Sequence, residues 1–508
     1  MPGLPAALRS GTSAAGSIAR RHWLFVILLG AGLVLRIATQ LAYSPALIYI
    51  DSYRYLTGDS SLDPLGYLVL LWPFQHAGGL AAVAAAQHLL GLAMALALYV
   101  VLLRRRIWPW AAALAAAPVL LDAYQLQVEQ TIMPDALFEA LIVAAMALLL
   151  WRPRPAAWQV GLAALALGVA IDVRQIGVVL ILPVLLFLLI RAVRWQRLVQ
   201  STLFTAVFVV PVLAYMLVQL WVTGHFTFTD RNMYALYGRT AAAANCATLR
   251  LPPDERSLCP SPQQVAILGI DGLEGEPASP LLTYEAPPGR STIEMADRFE
   301  LAVLRQQPTA VIGAIDHDFI KLFALTRDTD QGDMPISRWQ FQTTYPTYPT
   351  LITLRYVASI RPGGGRPSVS RPLAEALRDY QLHGGYTPGP LLAVAALAGL
   401  AGSCVLGGSV LGGRRREQLE TATACLLFTA TAIILLLGSD AYEFSWRYQL
   451  PALILLPPAG VLGAAAVTAF TRRCWTEAGR KTDDKRAASM PGHPAPPHER
   501  ELKDASTH

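Results

Sequence analysis

Long apolar stretches separated by short polar connections dominate the chain. Ten of them approach the length of about 17–25 residues at which a helix crosses a bilayer. They lie near residues 23–42, 79–103, 107–122, 135–151, 156–172, 176–192, 201–222, 389–412, 418–438 and 450–470. A shorter apolar and aromatic stretch at residues 67–74 favours a helix lying in the membrane interface, within the first outer loop. The pattern predicts an all-α polytopic membrane protein with about ten transmembrane helices.

Composition supports this class of protein. Hydrophobic residues make up 54% of the chain and charged residues only 15%, with a mean hydropathy of +0.40. Soluble enzymes have a more balanced composition, so a soluble globular fold is excluded.

The basic residues predict the orientation in the membrane. Cytoplasmic loops carry the excess of Lys and Arg in membrane proteins. With the N-terminus inside, every basic cluster falls on the cytoplasmic side: Arg20-Arg21, Arg104 to Arg106, Arg152 and Arg154, Arg191 to Arg197, Arg414 to Arg416, and Arg472-Arg473. Merging residues 156–192 into one long helix would break this agreement, which favours two spans divided at residues 172–175. Both termini are then inside the cell. The net charge of +6 is explained by the basic cytoplasmic loops, so we expect no nucleic-acid partner.

This topology divides the chain into four parts. Residues 1–222 form an N-terminal transmembrane module whose first outer loop spans 43–78, and residues 223–388 form an extracytoplasmic domain. Residues 389–470 carry the C-terminal transmembrane helices, and the Pro-rich, charged residues 471–508 are expected to be a disordered cytoplasmic tail. Apolar residues recur at helical spacing on both sides of Pro308, so the outer domain is predicted to be mainly helical with irregular loops.

Two of the five cysteines, Cys246 and Cys259, lie thirteen positions apart in the predicted outer domain. An oxidising compartment favours a disulfide between them. The cysteines show no spacing typical of a metal site. Carboxylates close to a phosphate can hold Mg²⁺ or Mn²⁺, but charge spacing does not separate a metal pair from a base and its neighbour, so the metal requirement stays open.

Candidate chemistry begins at residues 50–55, Ile-Asp-Ser-Tyr-Arg-Tyr, just beyond the first span. Asp51 is either a helix N-cap, a common role of Asp, or a reactive carboxylate. The predicted outer turn at residues 122–134 and the start of the next span add Asp122, Glu129 and Asp135 on the same side. Solvation is the alternative for Glu129, and a charge complementing the helix dipole is the alternative for Asp135.

Arginines accompany these acids on the outer side. Arg174 lies in the hairpin 172–175, where an unpaired charge costs about 2.5–3.5 kcal/mol, so it requires an anionic partner. Asp172 is the structural candidate and a lipid phosphate the functional one. Arg447 lies in the last outer turn. Acids that can deprotonate a hydroxyl, beside arginines that can hold phosphate, suit transfer of a sugar from a membrane-embedded phosphorylated carrier to a hydroxyl.

In these residues the chain resembles the GT-C superfamily of integral-membrane glycosyltransferases. The likeness is to the bacterial protein-mannosyltransferase and aminoarabinose-transferase-like branch, which uses polyprenyl-phosphate sugars. It is carried by residues 51–55 (DSYRY), 64–67 (PLGY), 87–91 (QHLLG), 129–135 (EQTIMPD), 173–177 (VRQIG) and 447–451 (RYQLP). Their order and predicted sidedness, rather than any one stretch, carry the resemblance.

The resemblance implies roles for individual residues. Asp51 would be the general base, with Glu129 or Asp135 as a second acid and Arg174 as a contact of the carrier phosphate. Tyr53 and Tyr55 would line the site, and the implied substrate-binding set also contains Arg54, Tyr67, Arg447 and Tyr448. Protein-modifying members often have Glu after the first acid, where this chain has Ser52, so the acceptor hydroxyl stays open among glycan, lipid and protein.

Other functions remain compatible with the sequence. Ten spans with buried arginines also suit a lipid or solute transporter or flippase, although no repeat of the first half is evident in the second. A polysaccharide ligase or polymerase, with a pyrophosphate-linked donor, and a non-catalytic scaffold are further alternatives. Abundant Ala and Arg suggest a high-GC bacterial genome. We therefore expect a bacterial cell membrane protein of cell-envelope glycan assembly, with its active site outside.

Overall fold

The fold is almost entirely helical. A computed structural model describes residues 6–59, 63–191, 194–229, 232–346, 367–411 and 416–488. A helix coincides with each predicted span: Ala6–Ala42, Leu68–Arg104, Pro109–Leu121, Asp135–Leu150, Ala157–Val173, Ile181–Arg191, Arg194–Thr223, Gly389–Leu411, Arg416–Asp440 and Leu450–Ala488. The prediction of an all-α architecture is confirmed.

In the described part of the chain, fewer helices than the predicted ten are long and apolar enough to cross a membrane. Among the described residues, five helices are long and apolar enough to cross a membrane: Arg21–Ala42, Leu65–Arg104, Trp195–Thr223, Leu419–Asp440 and Trp446–Arg473. The helices Pro109–Leu121 and Ala123–Gln130 meet at 48° and give a sixth if they form one broken span. Three further apolar helices are shorter. The count of ten is therefore not confirmed.

Three boundaries differ from those predicted. The outer turn at residues 122–134 is largely a helix, Ala123–Gln130, in which every residue is buried. The last helix continues to Ala488, because Ala, Arg, Lys and Glu in the predicted tail are good helix formers; residues 489–508 lie outside the described part. The helix Leu68–Arg104 is interrupted at Gly78 and Gly79, where Gly79 has a φ of 70° that favours glycine. The break separates the predicted interfacial segment from the span.

Contacts at the two ends of the bundle support the division at residues 172–175. At one end, Arg105 donates to the Leu150 carbonyl, and Arg191 lies 3.9 Å from Glu420. At the other end, Arg174 pairs with Asp135. Arg174 and Arg191 therefore lie at opposite ends of the bundle, as two separate helices require. Which end faces the cytoplasm stays a prediction.

The segment between the two groups of bundle helices has its own small core. Its regular elements are the helices Asn232–Ala243, Pro262–Gly275, Pro280–Thr283, Thr292–Gln306, Pro308–Lys321 and Arg371–Leu382, with short 3₁₀ turns at Arg256–Leu258 and Ile336–Trp339. Met295, Phe299 and Val303 are fully buried against Tyr237. Cys246 and Cys259 form a disulfide. We call residues 223–388 the outer segment; its predicted mainly helical character is confirmed.

The outer segment is attached to the bundle through the chain that follows the first helix. Strand Tyr43–Ser44 pairs antiparallel with strand Ser368–Val369. The Tyr345 hydroxyl donates to the Ala46 carbonyl at 2.7 Å. These contacts place the outer segment directly above the residues around Asp51.

Candidate active site

Asp51 is positioned by the buried serine that follows it. The helix Ser52–Thr57 begins there, and the Ser52 hydroxyl accepts from the Tyr49 amide at 2.9 Å and donates to the Ile132 carbonyl at 2.7 Å. Ser52 is fully buried, so both bonds are shielded from water. They tie the Asp51 segment to the turn that leads into Asp135.

The Asp51 carboxylate is ion-paired and does not cap its helix. Asp51 occupies the N-cap position of Ser52–Thr57, but its side chain makes no capping hydrogen bond. Instead it accepts from Arg54 Nη2 at 3.0 Å and from Arg447 Nη1 at 2.9 Å. The helix-cap interpretation is therefore wrong. Burial raises the pKa of Asp51, but the charges of Arg54 and Arg447 outweigh it and hold the pKa below its ordinary value, so Asp51 is ionised at neutral pH.

Asp135 links the guanidiniums of Arg174 and Arg447. It pairs with Arg174 Nη1 and lies 3.7 Å from Arg447 Nε, and only 3% of its side chain is exposed. Asp172, the expected structural partner of Arg174, does not take that role, and its Oδ1 has no hydrogen-bond partner. Arg174 finds Asp135 instead because the helix that Asp135 opens packs beside the helix Ala157–Val173.

Together these residues form a chain of alternating charges, which we call the arginine cluster. Its order is Asp63, Arg54, Asp51, Arg447, Asp135 and Arg174. Three acids balance three arginines, so the cluster is neutral overall. The side chains of Arg54, Arg447 and Arg174 are 19%, 11% and 15% exposed, so the cluster is largely buried and only in part open to its surroundings.

The outer segment adds charge above the cluster. Arg338 donates to the Tyr49 hydroxyl at 3.4 Å. Asp271 interacts electrostatically with Asp51, and burial followed by the Asp51 charge raises the pKa of Asp271. Trp339 stacks over Arg447, with 5.2 Å from the guanidinium carbon to the ring centroid. Residues of the outer segment therefore cover one side of the arginine cluster.

Glu129 lies elsewhere, in a buried ion pair. Its carboxylate accepts from Arg36 Nη2 at 2.7 Å and lies 2.9 Å from His88 Nδ1, and it is completely buried. Arg36 also donates to the carbonyls of Val119 and Leu120. The structure therefore brings Asp135, but not Glu129, into the arginine cluster, and Glu129 instead neutralises Arg36 of the first helix.

Of the tyrosines predicted to line the site, some pack in a small core and others lie at the arginine cluster. Tyr55 and Tyr67 are 3% and 0% exposed and meet edge to face at 5.2 Å. The Tyr67 hydroxyl donates to Gln87. These two side chains fill a small core beneath the cluster instead of lining it. Tyr53 is half-buried, and the Tyr448 ring contacts two of the arginines.

Sequence reasoning missed several residues around the cluster. Ser52 and Asp63 stand within or next to the stretches considered, so their polar character was a usable signal. Glu443 is likewise close in sequence to Arg447 and Tyr448. Trp339 and Asp271 had no such signal, because their distance from Asp51 along the chain conceals their proximity in space.

The residues present do not fit a divalent cation. Within the described ranges, no group of three or more His, Cys, Asp or Glu side chains is arranged to hold a metal. Asp51 and Asp135 already pair with guanidiniums, and Mg²⁺ generally requires several oxygen ligands. We derive no step through a metal.

Comparisons with known proteins give few matches. No family model and no curated protein matches the chain. Two solved structures match, both of ArnT from Cupriavidus metallidurans. The one bound to undecaprenyl phosphate is 14% identical, with a TM-score of 0.33 and coverage of 87% of this chain and 78% of that chain. The apo state is 15% identical, with the same TM-score and coverage of 85% and 78%. Overlap at this level carries no argument about function.

Proposed function

We propose that this chain is a membrane glycosyltransferase that moves a sugar from a polyprenyl-phosphate carrier to a hydroxyl acceptor. The arginine cluster is the proposed site. The proposal places the site on the extracytoplasmic face of a bacterial cell membrane, in the assembly of cell-envelope glycans or glycoconjugates.

The observation that carries the proposal is the alternation of three largely buried arginines with ionised Asp51 and its neighbouring acids at one end of an apolar bundle. Arg54 Nε and Arg447 Nε are buried and make no hydrogen bond, so both arginines have unused donors that a phosphate reaches once the side chains shift towards it. Arginine suits phosphate because its planar fork matches two oxygens at once. A site at the end of membrane helices also suits a donor whose lipid chain stays in the bilayer.

The arrangement supports a direct displacement. A bound phosphate draws Arg447 and Arg54 towards its oxygens, which weakens their hold on Asp51 and raises the basicity of that carboxylate. Asp51 then accepts the proton of the acceptor hydroxyl while the hydroxyl oxygen bonds to the anomeric carbon. The bond from that carbon to the phosphate oxygen breaks, and its electron pair stays on the phosphate, where the arginines stabilise the charge.

The decisive test is Asp51→Asn in the purified full-length protein. We expect the variant to bind undecaprenyl phosphate and to lose glycosyl transfer by at least about a hundredfold, the lower range for loss of a general base. Asp379→Asn is the control, because Asp379 is 76% exposed on the outer segment and its side chain pairs with His383. Undiminished transfer by Asp51→Asn would remove Asp51 as the base.

The sugar is found by a complementary experiment. Lipids that accumulate in a deletion strain are extracted and analysed by mass spectrometry. Accumulation of a sugar linked through a single phosphate supports the proposal. Accumulation of a pyrophosphate-linked oligosaccharide instead would favour a ligase or polymerase.

A further inference from the structure

The aromatic ring of Tyr448 contacts two arginines of the cluster. The guanidinium carbons of Arg174 and Arg447 each lie 5.3 Å from the centroid of its ring. That distance is within the range of cation–π attraction. Asp135 also joins both arginines, but only at their ends. The ring therefore adds a rigid spacer between two flexible cations.

Glu443 anchors the Tyr448 ring. The Tyr448 hydroxyl donates to Glu443 Oε2 at 2.8 Å. The two residues lie in the connection between the helix that ends at Asp440 and the helix that begins at Leu450. One hydrogen bond at the far edge of the ring limits its rotation, and thereby fixes the face that the arginines contact.

We infer that Tyr448 and Glu443 are positioning residues for the donor phosphate. Tyr448 sets the separation of Arg174 and Arg447, and Glu443 holds the Tyr448 ring in place. The inference rests on the proposed function, because it concerns the same phosphate. It reassigns Tyr448 from a direct substrate contact to a support of the residues that make that contact.

The charges around Glu443 come from three parts of the chain. Asp271 and Glu274 face it from the outer helix Pro262–Gly275, Asp51 from the first outer loop, and Arg447 from its own connection. Burial, and next the charge of Asp271, raise the pKa of Glu443 to about 8. Glu443 is therefore mostly uncharged at neutral pH. Above about pH 8 it ionises, and the new negative charge competes with phosphate for Arg447.

The test measures binding of undecaprenyl phosphate to the full-length protein in nanodiscs, followed by tryptophan fluorescence. Trp339 stacks over Arg447, and the same titration of Trp339→Phe separates its signal from that of the other tryptophans. For the wild type we expect the Kd to rise about tenfold between about pH 7 and pH 9. Glu443→Gln, which keeps an oxygen for the Tyr448 hydroxyl, should bind with the same Kd at both pH values. Asp271→Asn removes a like charge, lowers the pKa of Glu443 and should move the rise in Kd to lower pH.

Substitutions at Tyr448 separate the ring from its hydroxyl. Tyr448→Leu should raise the Kd about tenfold at neutral pH, since two cation–π contacts are lost. Tyr448→Phe keeps the ring and should stay within about threefold of the wild type. In transfer assays the Tyr448→Leu effect should appear in KM more than in kcat. Glu375→Gln is the control, because Glu375 is 51% exposed and pairs with Arg371 away from the cluster.

The outcomes distinguish this inference from the proposed function. Wild-type protein that neither binds the lipid nor transfers sugar overturns the proposed function and the positioning role with it. Wild-type binding and transfer, combined with an unchanged pH response in Glu443→Gln or an unchanged Kd in Tyr448→Leu, overturn the positioning role alone. A thermal unfolding midpoint for each variant identifies losses of binding that arise from misfolding.

Discussion

Glu129 gives the sharpest test of structural against catalytic roles. Arg36 and Glu129 are 2% and 0% exposed, and the pair lies among helices where water does not screen it. Removing one member of such a pair leaves the other as an uncompensated buried charge, which costs about 3–5 kcal/mol. We expect Glu129→Gln and Arg36→Met each to lose stability in this range.

The double variant Arg36→Met/Glu129→Gln removes both charges together. It should be more stable than either single variant, because neither leaves a charge behind. Stability is measured by unfolding in detergent, with Glu375→Gln as an exposed ion-pair control that should lose less than about 1 kcal/mol.

Sugar transfer by the same variants completes the test. A double variant that folds should retain transfer, because neither residue belongs to the arginine cluster. Unchanged stability in Glu129→Gln together with abolished transfer would refute this reasoning and restore Glu129 as the second acid.

Three further predictions follow from individual contacts. Burial, followed by the charge of Asp297, raises the pKa of Glu300 to about 8. The folded state therefore holds the Glu300 proton more tightly than the unfolded state does. This contribution to stability is complete below the ordinary pKa of a glutamate and is lost as pH rises through 8. Glu300→Gln should therefore match the wild type near pH 4 and unfold at a higher temperature than the wild type near pH 9. The corresponding gain in the free energy of unfolding is at most about 5 kcal/mol. Identical unfolding midpoints at pH 9 would contradict this. Ser52→Ala removes the bond to the Ile132 carbonyl and should cost about 1–3 kcal/mol and lower kcat, whereas an unaltered kcat in the folded variant would show that Asp51 needs no such support. Transfer should persist after EDTA treatment, and activity that vanishes with EDTA and returns with Mg²⁺ would require a metal step.

The sequence predicted the local features of the fold well and the long-range ones only in part. Apolar run length and basic clusters sufficed for the helices, because both are local properties. Neither property showed that residues 122–134 contain a buried helix. Its polar residues are buried because they pair with groups distant in sequence, such as Arg36. Length and hydropathy likewise do not decide whether the shorter apolar helices are full spans.

The site shows the same division. Asp51 and Arg54 are three positions apart, so their pairing was accessible from the sequence. Asp51 and Arg447 are 396 positions apart, and only the packing of the first and last parts of the bundle brings them together. Asp135 and Glu129 are near neighbours along the chain but have different partners. They lie on two different helices, so their positions, and not their residue types, separate their roles.

The helix that carries Asp271 is kinked at Gly269, which has a φ of 62° and lies against the backbone of Gly332. A side chain at Gly269 would collide with the Gly332 carbonyl and would also be strained by that φ. Substitution there must displace either the loop at Gly332 or the second half of the helix, which carries Asp271, without altering any charge. A displaced helix changes the distance between Asp271 and Glu443, and with it the pH at which the proposed site releases its lipid phosphate. A chain that changes only this kink can retune the response to pH while the residues that bind phosphate stay the same.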